Sequence, residues 1–276
     1  MSFKIVESFL MGKHNNSLLC EDAIYYDANF AAVIDGATSK TDFKFDGKSS
    51  GRVASELVCE AIKTLDCKSD VISAIELITK KIFDFYKNNK LVGHMKANKA
   101  DRFSACAAIY SQYRREVWVI GDCQCFVNGE VYKADKKIDN ILSEVRALYL
   151  KSEIMSGRPI EDLVVDDAGR EYILPLLLKQ TIFQNASGAS EYNYTVFDGF
   201  KIDVKNVSVI KVIMSDVVLA TDGYPQLQKT LKSSEKYLKT ILRKDPLCIT
   251  SYKATKGRVL GNVSYDDRAF VKIKVV

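Results

Sequence analysis

Acidic residues recur where apolar runs begin or end. Glu21 and Asp22 stand before "AIYY", Asp35 closes "FAAVID", Asp122 closes "VWVIGD", Asp222 closes "VVLATD", and Asp266 and Asp267 open "RAFVKIKVV". Asp35 and Asp222 are each followed by glycine. Asp-Gly is a strong hairpin-turn signal, so either pair taken alone reads as a turn or a cap. A carboxylate held at a strand's end is also what a metal site needs. Acids are depleted in strands and costly to bury unpaired. If these strand ends meet, their repulsion has to be offset by cations. Hard oxygen ligands without histidine or cysteine point to magnesium or manganese rather than zinc or copper. Glycine after Asp35 and Asp222 would let the backbone approach such a cluster closely, and the Gly36 carbonyl could itself be a ligand.

Other chemistries find less support. With His14 and His94 the only histidines, a Ser-His-Asp triad and histidine-rich metal sites lose their basis. Cys123 and Cys125 share one face of a predicted strand, but no second cysteine pair or nearby histidine completes a zinc site. "DGKSSG" contains the Gly-Lys-Ser of a phosphate-binding loop, yet Asp42 stands where that loop needs its first glycine; a helix start capped by Ser49 or Ser50 explains the stretch. The net charge of +5 comes from 40 basic and 35 acidic residues, with the basic ones spread through helices, which describes a solvated surface and argues against nucleic acid as a partner. Seven cysteines in apolar or helical contexts read as free thiols in a reducing compartment. The amino terminus lacks a signal peptide's apolar core, and no apolar run approaches the ~20 residues of a membrane span. A cytoplasmic protein with no membrane partner is the expectation.

The elements that would position the acids follow from periodicity. "DAIYYDAN" and "FAAVID" read as paired strands. Val53, Leu57, Ala61 and Leu65 then recur at four-residue spacing behind the capping serines, and Ser69 or Asp70 could cap a second helix carrying Val71, Ile75, Ile78, Ile82 and Phe85. These two helices would cover one face of a sheet. A strand-rich stretch follows, with Asn128-Gly129 as a two-residue hairpin turn, and Asp198-Gly199 has the same look. Both of these pairs read as turns alone. Residues 137 to 190 carry helical spacing without low-complexity character, so they form a helical insertion rather than a linker. After strands at "VSVIKVIMS" and "VVLATDG", a helix is expected over "YPQLQKTLKSSEKYLKTILRKD". A single domain over residues 1–276, with a helical or flap insertion at about 137–195, is the resulting organisation.

In order and context these segments resemble the metal-dependent protein phosphatases of the PPM type, also called type 2C. The resemblance is carried by "CEDA", "VIDGAT", "GKSSGRVASELV", "VWVIGDCQCFVNGEVY", "VVLATDGYPQL" and "NVSYDDRAFVKIKV", which span nearly the whole chain in the family's order. It implies an α+β fold, a four-layer αββα sandwich of two antiparallel sheets flanked by helix pairs. It also implies two Mn2+ or Mg2+ ions, with a weaker third seen in some members. Glu21, Asp35 and the Gly36 carbonyl would hold one ion, and Asp35, Asp222 and Asp266 the other. Asp22 would accept a hydrogen bond from metal-bound water, and Asp122 would serve a third ion. The implied reaction is hydrolysis of phosphoserine and phosphothreonine in a phosphorylated protein partner, by a hydroxide bridging the two metals.

The chain departs from the family in two places. Ala37 stands where eukaryotic members have the histidine proposed as general acid, as in bacterial members, which the segment "FQNASGASEYNYTVFDGF" also resembles. No arginine precedes Glu21-Asp22; Lys13 or His14 is the candidate contact for substrate phosphate, unless both sit in solvent. Two further readings stay open: a member of the fold that has lost catalysis and acts as a scaffold, and a two-metal phosphoesterase for a small-molecule phosphate.

Overall fold

The computed structural model describes residues 2–134 and 136–276. Its chain runs β1 (Phe3–Met11), β2 (Ala23–Tyr26), β3 (Phe30–Gly36), the short ribbon β4 (Lys44–Phe45) and β5 (Lys48–Ser49), then α1 (Ser50–Ile62), α2 (Val71–Asn88) and α3 (Val92–Ala97). Four strands follow, β6 (Ala105–Ser111), β7 (Glu116–Ile120), β8 (Gln124–Val127) and β9 (Glu130–Lys133), and then α4 (Lys137–Met155), α5 (Ile160–Leu163) and α6 (Ala168–Lys179). β10 (Ser208–Lys211), β11 (Asp216–Ala220), α7 (Leu231–Lys244) and β12 (Arg268–Val275) complete it.

The long strands form two five-stranded sheets in the orders β1-β12-β11-β8-β9 and β10-β7-β6-β3-β2. Every neighbouring pair in them is antiparallel. Strands buried on both faces, such as β3, β6 and β7, read as continuous apolar runs, whereas β1 alternates half-buried and exposed. Val33, Ala108, Val119 and Tyr110 of one sheet meet Cys125, Leu219, Val271 and Ile273 of the other in the layer between them. The outer face of the β3 sheet is covered by α1 and α2 through Val53, Leu57, Ala61, Ile75, Ile78 and Ile82, at the expected spacing. On the opposite outer face, Leu238 and Leu242 of α7 pack on Phe126, Val218, Ala220 and Phe270. Ala147 and Leu150 of α4 join that side through Leu247 and Ile249, just beyond α7. The result is an αββα sandwich of two antiparallel sheets.

Ser49 caps α1 by accepting from the Arg52 amide, so Gly47-Lys48-Ser49 is a turn into a helix cap and not a phosphate-binding loop. Asp70 caps α2 in the same way. α7 starts later than its periodicity suggests. Thr230 is its cap, while the Tyr224 carbonyl accepts from Gln124 Nε2 at 2.8 Å and so ties the preceding stretch to β8.

Asn128 and Gly129 have φ of 54° and 92°, the left-handed pair of a tight hairpin joining β8 to β9. Asp198 does not behave as a turn residue alone, which corrects its expected role. Its side chain is fully buried and accepts from Arg102 Nη1 (2.9 Å), Gln184 Nε2 (2.8 Å), Asn185 Nδ2 (2.9 Å) and the Phe200 amide (3.0 Å). The Arg102 guanidinium also lies 3.7 Å from the Phe200 ring centre and donates to the Met95 carbonyl. Arg102, Asn185 and Gln184 together neutralise a buried carboxylate that sequence spacing could not distinguish from a hairpin signal. All seven cysteines are free, and Cys123 and Cys125 are buried in the layer between the sheets. Among the described residues no helix is long and apolar enough to cross a membrane.

Candidate metal centre

Asp35 ends β3 in one sheet, whereas Asp222 follows β11 and Asp266 precedes β12 in the other. These three and Asp122, in the turn from β7 to β8, line one cavity of about 300 Å³ at an end of the sandwich. Neither key Asp-Gly pair is a left-handed turn, since Gly36 and Gly223 lie outside the positive-φ positions. Close approach requires these glycines instead. A Cβ on Gly36 would sit 2.4 Å from the carbonyl oxygens of Glu21 and Gly51, and one on Gly223 would sit 2.1 Å from that of Asp267. Each glycine therefore lets a second backbone segment press against the strand end that carries its aspartate.

Glu21, Asp22 and Asp267 are buried behind the cavity and tie the two sheets together. Asp267 accepts from the Lys13 amide (2.7 Å) and the Glu21 amide (2.9 Å). Glu21 Oε1 accepts from Ser49 Oγ at 2.6 Å, so the cap of α1 also orients this acid. Asp22 accepts from Thr221 Oγ1 at 2.7 Å, and the same hydroxyl accepts from the Ala269 amide at 2.9 Å. Ser49, Thr221 and Asp267 thus fix acids that would otherwise rotate.

The carboxylates crowd one another. Burial, then Asp222, Asp22, Asp122 and Asp266, push Asp35 well above the ordinary carboxylate range. Burial with Asp267 and Asp266 does the same to Asp22. Burial with Asp266 and Asp122 raises Asp222 to about 7, although Asp35 and Asp222 share a hydrogen bond that works the other way. Two lysines offset part of the repulsion. Lys13 Nζ lies 3.4 Å from Glu21, 3.6 Å from Asp267 and 3.8 Å from Asp266. Lys256 pairs closely with Asp266 and also donates to Thr38 Oγ1 at 3.1 Å. Burial opposes ionisation of Asp266, but Lys256 and Lys13 outweigh it and hold its pKa low.

Lys13 therefore lies against the acids, where the sequence places a candidate phosphate contact. His14 turns away and hydrogen-bonds Asn262 Oδ1 at 2.7 Å. His94, the other histidine, pairs with Asp101, so neither lies among the cavity-lining residues. Lys256, Lys40, Lys136 and Arg170 also line the cavity, and motif reading missed all four. Lys256 falls in "YKATKGR", which carries no spacing signal, and only the tertiary fold brings it to Asp266.

Among the described residues, no three His, Cys, Asp or Glu side chains converge on one coordination point. The donor set nevertheless fits hard divalent cations. It is all oxygen, its charges repel, and Lys13 and Lys256 offset only part of that repulsion. A pH dependence follows. The protons that Asp222, Asp35 and Asp22 hold in the folded chain are released near the ordinary value of 3.8 when it unfolds. Their stabilising contribution is thus complete below about pH 4, and that of Asp222 is lost as pH rises through about 7. Chelator-treated protein is expected to lose on the order of 2 kcal/mol between pH 5 and 8, allowing for solvent in the cavity. Manganese should restore more stability at pH 8 than at pH 5. Thermal denaturation across that range checks both, and a melting point that climbs from pH 5 to 8 without metal would contradict the account.

No family model matches this chain, and no curated protein matches it. Solved structures do match over its full length. The serine/threonine phosphatase PstP/Ppp of Mycobacterium tuberculosis is 12% identical with a TM-score of 0.48, the match covering 100% of this chain and 99% of that one. Stp1 from Staphylococcus aureus is 14% identical with a TM-score of 0.44, covering 98% and 94%. PppA of Pseudomonas aeruginosa, described as a regulatory component of T6SS, is 10% identical with a TM-score of 0.48, covering 100% and 99%. At such scores these are likenesses of overall chain course, and the chemistry rests on the residues of the cavity.

Proposed function

We propose that this protein is a manganese- or magnesium-dependent phosphatase of the type its motifs resemble, hydrolysing phosphoserine and phosphothreonine in proteins. The observation that carries the reading is the meeting of Asp35, Asp222 and Asp266, from ends of two different sheets, on one cavity that is also lined by lysines and arginines. Glu21, Asp35 and the Gly36 carbonyl would hold one cation, Asp35, Asp222 and Asp266 a second, and Asp122 would contribute to a third. When bound, the cations would supply an activated water and neutralise charge on the phosphoryl oxygens.

The chain's own residues perform the remaining tasks. Ser49 and Thr221 orient Glu21 and Asp22 through the hydrogen bonds described above, which keeps the acids in place before any ligand arrives. Lys13 and Lys256, 13% and 21% exposed at their side chains, balance the acids and present ammonium groups to an incoming phosphate. Lys256 would exchange Asp266 for substrate when the cations are present. The free thiols and buried cysteines support a reducing, cytoplasmic setting.

The reading is tested with chelator-treated protein, para-nitrophenyl phosphate and a phosphothreonine peptide, titrated with manganese or magnesium beside Asp222→Asn. Turnover of the peptide that appears only with metal and disappears in the variant is expected. Tight metal binding without turnover would favour a silent scaffold instead. Turnover of small esters alone would favour a small-molecule phosphoesterase.

A further inference from the structure

The cations around the cavity fall into two groups. Lys13 and Lys256 contact acids of the centre, Lys136 pairs with Asp139 at 2.8 Å and lies over the Tyr194 ring, and Arg102 pairs with Asp198. Lys40 differs, with no hydrogen-bond or ion-pair partner among the described residues, although it lines the cavity. Arg170, also on the lining, donates Nη1 to the Thr255 carbonyl at 3.1 Å and makes no ion pair among the described residues. Burial, then the nearby charges of Lys136 and Arg170, lower the Lys40 pKa to about 8. Asp139 offsets only part of that repulsion at Lys40, and burial lowers Arg170 despite Asp266, Asp167 and Asp139, so the cations remain under-compensated and an oxyanion would offset the cost.

Both side chains are mounted on ordered backbone. Lys40 sits between Ser39, whose hydroxyl donates to the Thr41 carbonyl at 2.8 Å, and Thr41, whose hydroxyl donates to Asp101 at 2.6 Å. Arg170 lies in the first turn of α6, where its amide donates to the capping Asp167 at 2.9 Å. From the phosphatase reading above, and resting on it, we infer that Lys40 and Arg170 form a second oxyanion subsite in this cavity. The subsite takes a further anionic group on the same phosphoprotein substrate, a second phosphate or an acidic side chain. Among the described residues neither forms an ion pair with a carboxylate of the centre, although Asp266 acts on Arg170 at longer range, which leaves both able to take a group other than the phosphate being cleaved. The planar fork of arginine beside a lysine ammonium suits an oxyanion's geometry.

The test reads binding rather than turnover. Labelled peptides carrying one phosphothreonine, the same with a phosphoserine a few residues away, and the same with glutamate there are titrated into chelator-treated protein by fluorescence anisotropy. The wild-type chain is expected to bind the doubly phosphorylated peptide about tenfold more tightly than the singly phosphorylated one. Lys40→Met and Arg170→Gln should each remove most of that increment, and Lys40→Arg should keep most of it. A matching gain with glutamate identifies the source as any acidic group, and a gain with phosphate alone narrows it to multiply phosphorylated segments. Absence of the preference in the wild type overturns the inference. So does an equal loss for both phosphopeptides in Lys40→Met, which would assign Lys40 to the scissile phosphate. Because no cation or turnover is needed, a retained preference in a protein that never hydrolyses the peptide would refute the phosphatase reading and leave the subsite standing.

Discussion

Asp35→Asn is expected to lower metal-dependent kcat/KM by on the order of 10³-fold while leaving the metal-free protein at least as stable as the wild type. The two halves of that result have one cause. Asp35 ends β3 and faces Asp222 across the sheets, in a place where burial and four other carboxylates disfavour its charge. Removing the charge relieves the repulsion among these acids and, on the proposed reading, would deprive both cation positions of a shared ligand. Calorimetric titration of manganese should show both affinities weakened. Unchanged affinity would remove the bridging role from Asp35. A variant that melts well below the wild type without metal would show instead that Asp35 supports the fold.

Asp198→Ala is expected to destabilise the protein by about 3 to 5 kcal/mol, because it leaves the Arg102 guanidinium buried without its carboxylate. Arg102 and Asp198 are 8% and 0% exposed, so water does not replace the lost partner. Asp198→Asn, which keeps the acceptor and removes the charge, should cost less. Urea denaturation at constant m-value measures both changes. A loss under about 1 kcal/mol for the alanine variant would mean that the guanidinium finds another partner. The variant also tests the cavity's shape, since Arg102, Ser104 and Gln184 line it and Gln184 donates to both Ser104 and Asp198.

Legibility in the sequence followed the range of each interaction. β2, β3, α1 and α2 appear where alternation and four-residue spacing put them, because a strand's or helix's buried face is written locally. The Asn128-Gly129 hairpin is local in the same sense. Asp198-Gly199 looks identical on paper, yet Asp198 belongs to a buried network whose partner Arg102 lies 96 positions away. The delayed start of α7 has a similar origin, since Gln124 of a distant strand holds the Tyr224 carbonyl. Asp35, Asp122, Asp222 and Asp266 were legible because acids at the ends of apolar runs break a strong compositional rule. Lys256, Lys40 and Arg170 break none. A lysine or arginine in a polar loop or helix start is what any solvated surface contains, and only the fold turns these inward.

β12 lies between β1 and β11, pairing Phe9 with Phe270 on one side and Leu219 with Val271 on the other. A growing chain therefore carries β1 as an unpaired edge through the synthesis of more than two hundred residues, until residues 268 to 275 exist to join it to β11. Asp266 and Asp267 emerge only just before that strand. If these acids hold cations as proposed, the site would be incomplete on a nascent or truncated chain, and cations would reward only the finished sandwich, by the usual linkage between ligand and native state. Pairing of such high sequence separation is slow to form. Metal supply during expression should accordingly change how much native protein accumulates, while leaving the early hairpins and the α1–α2 pair to form without it.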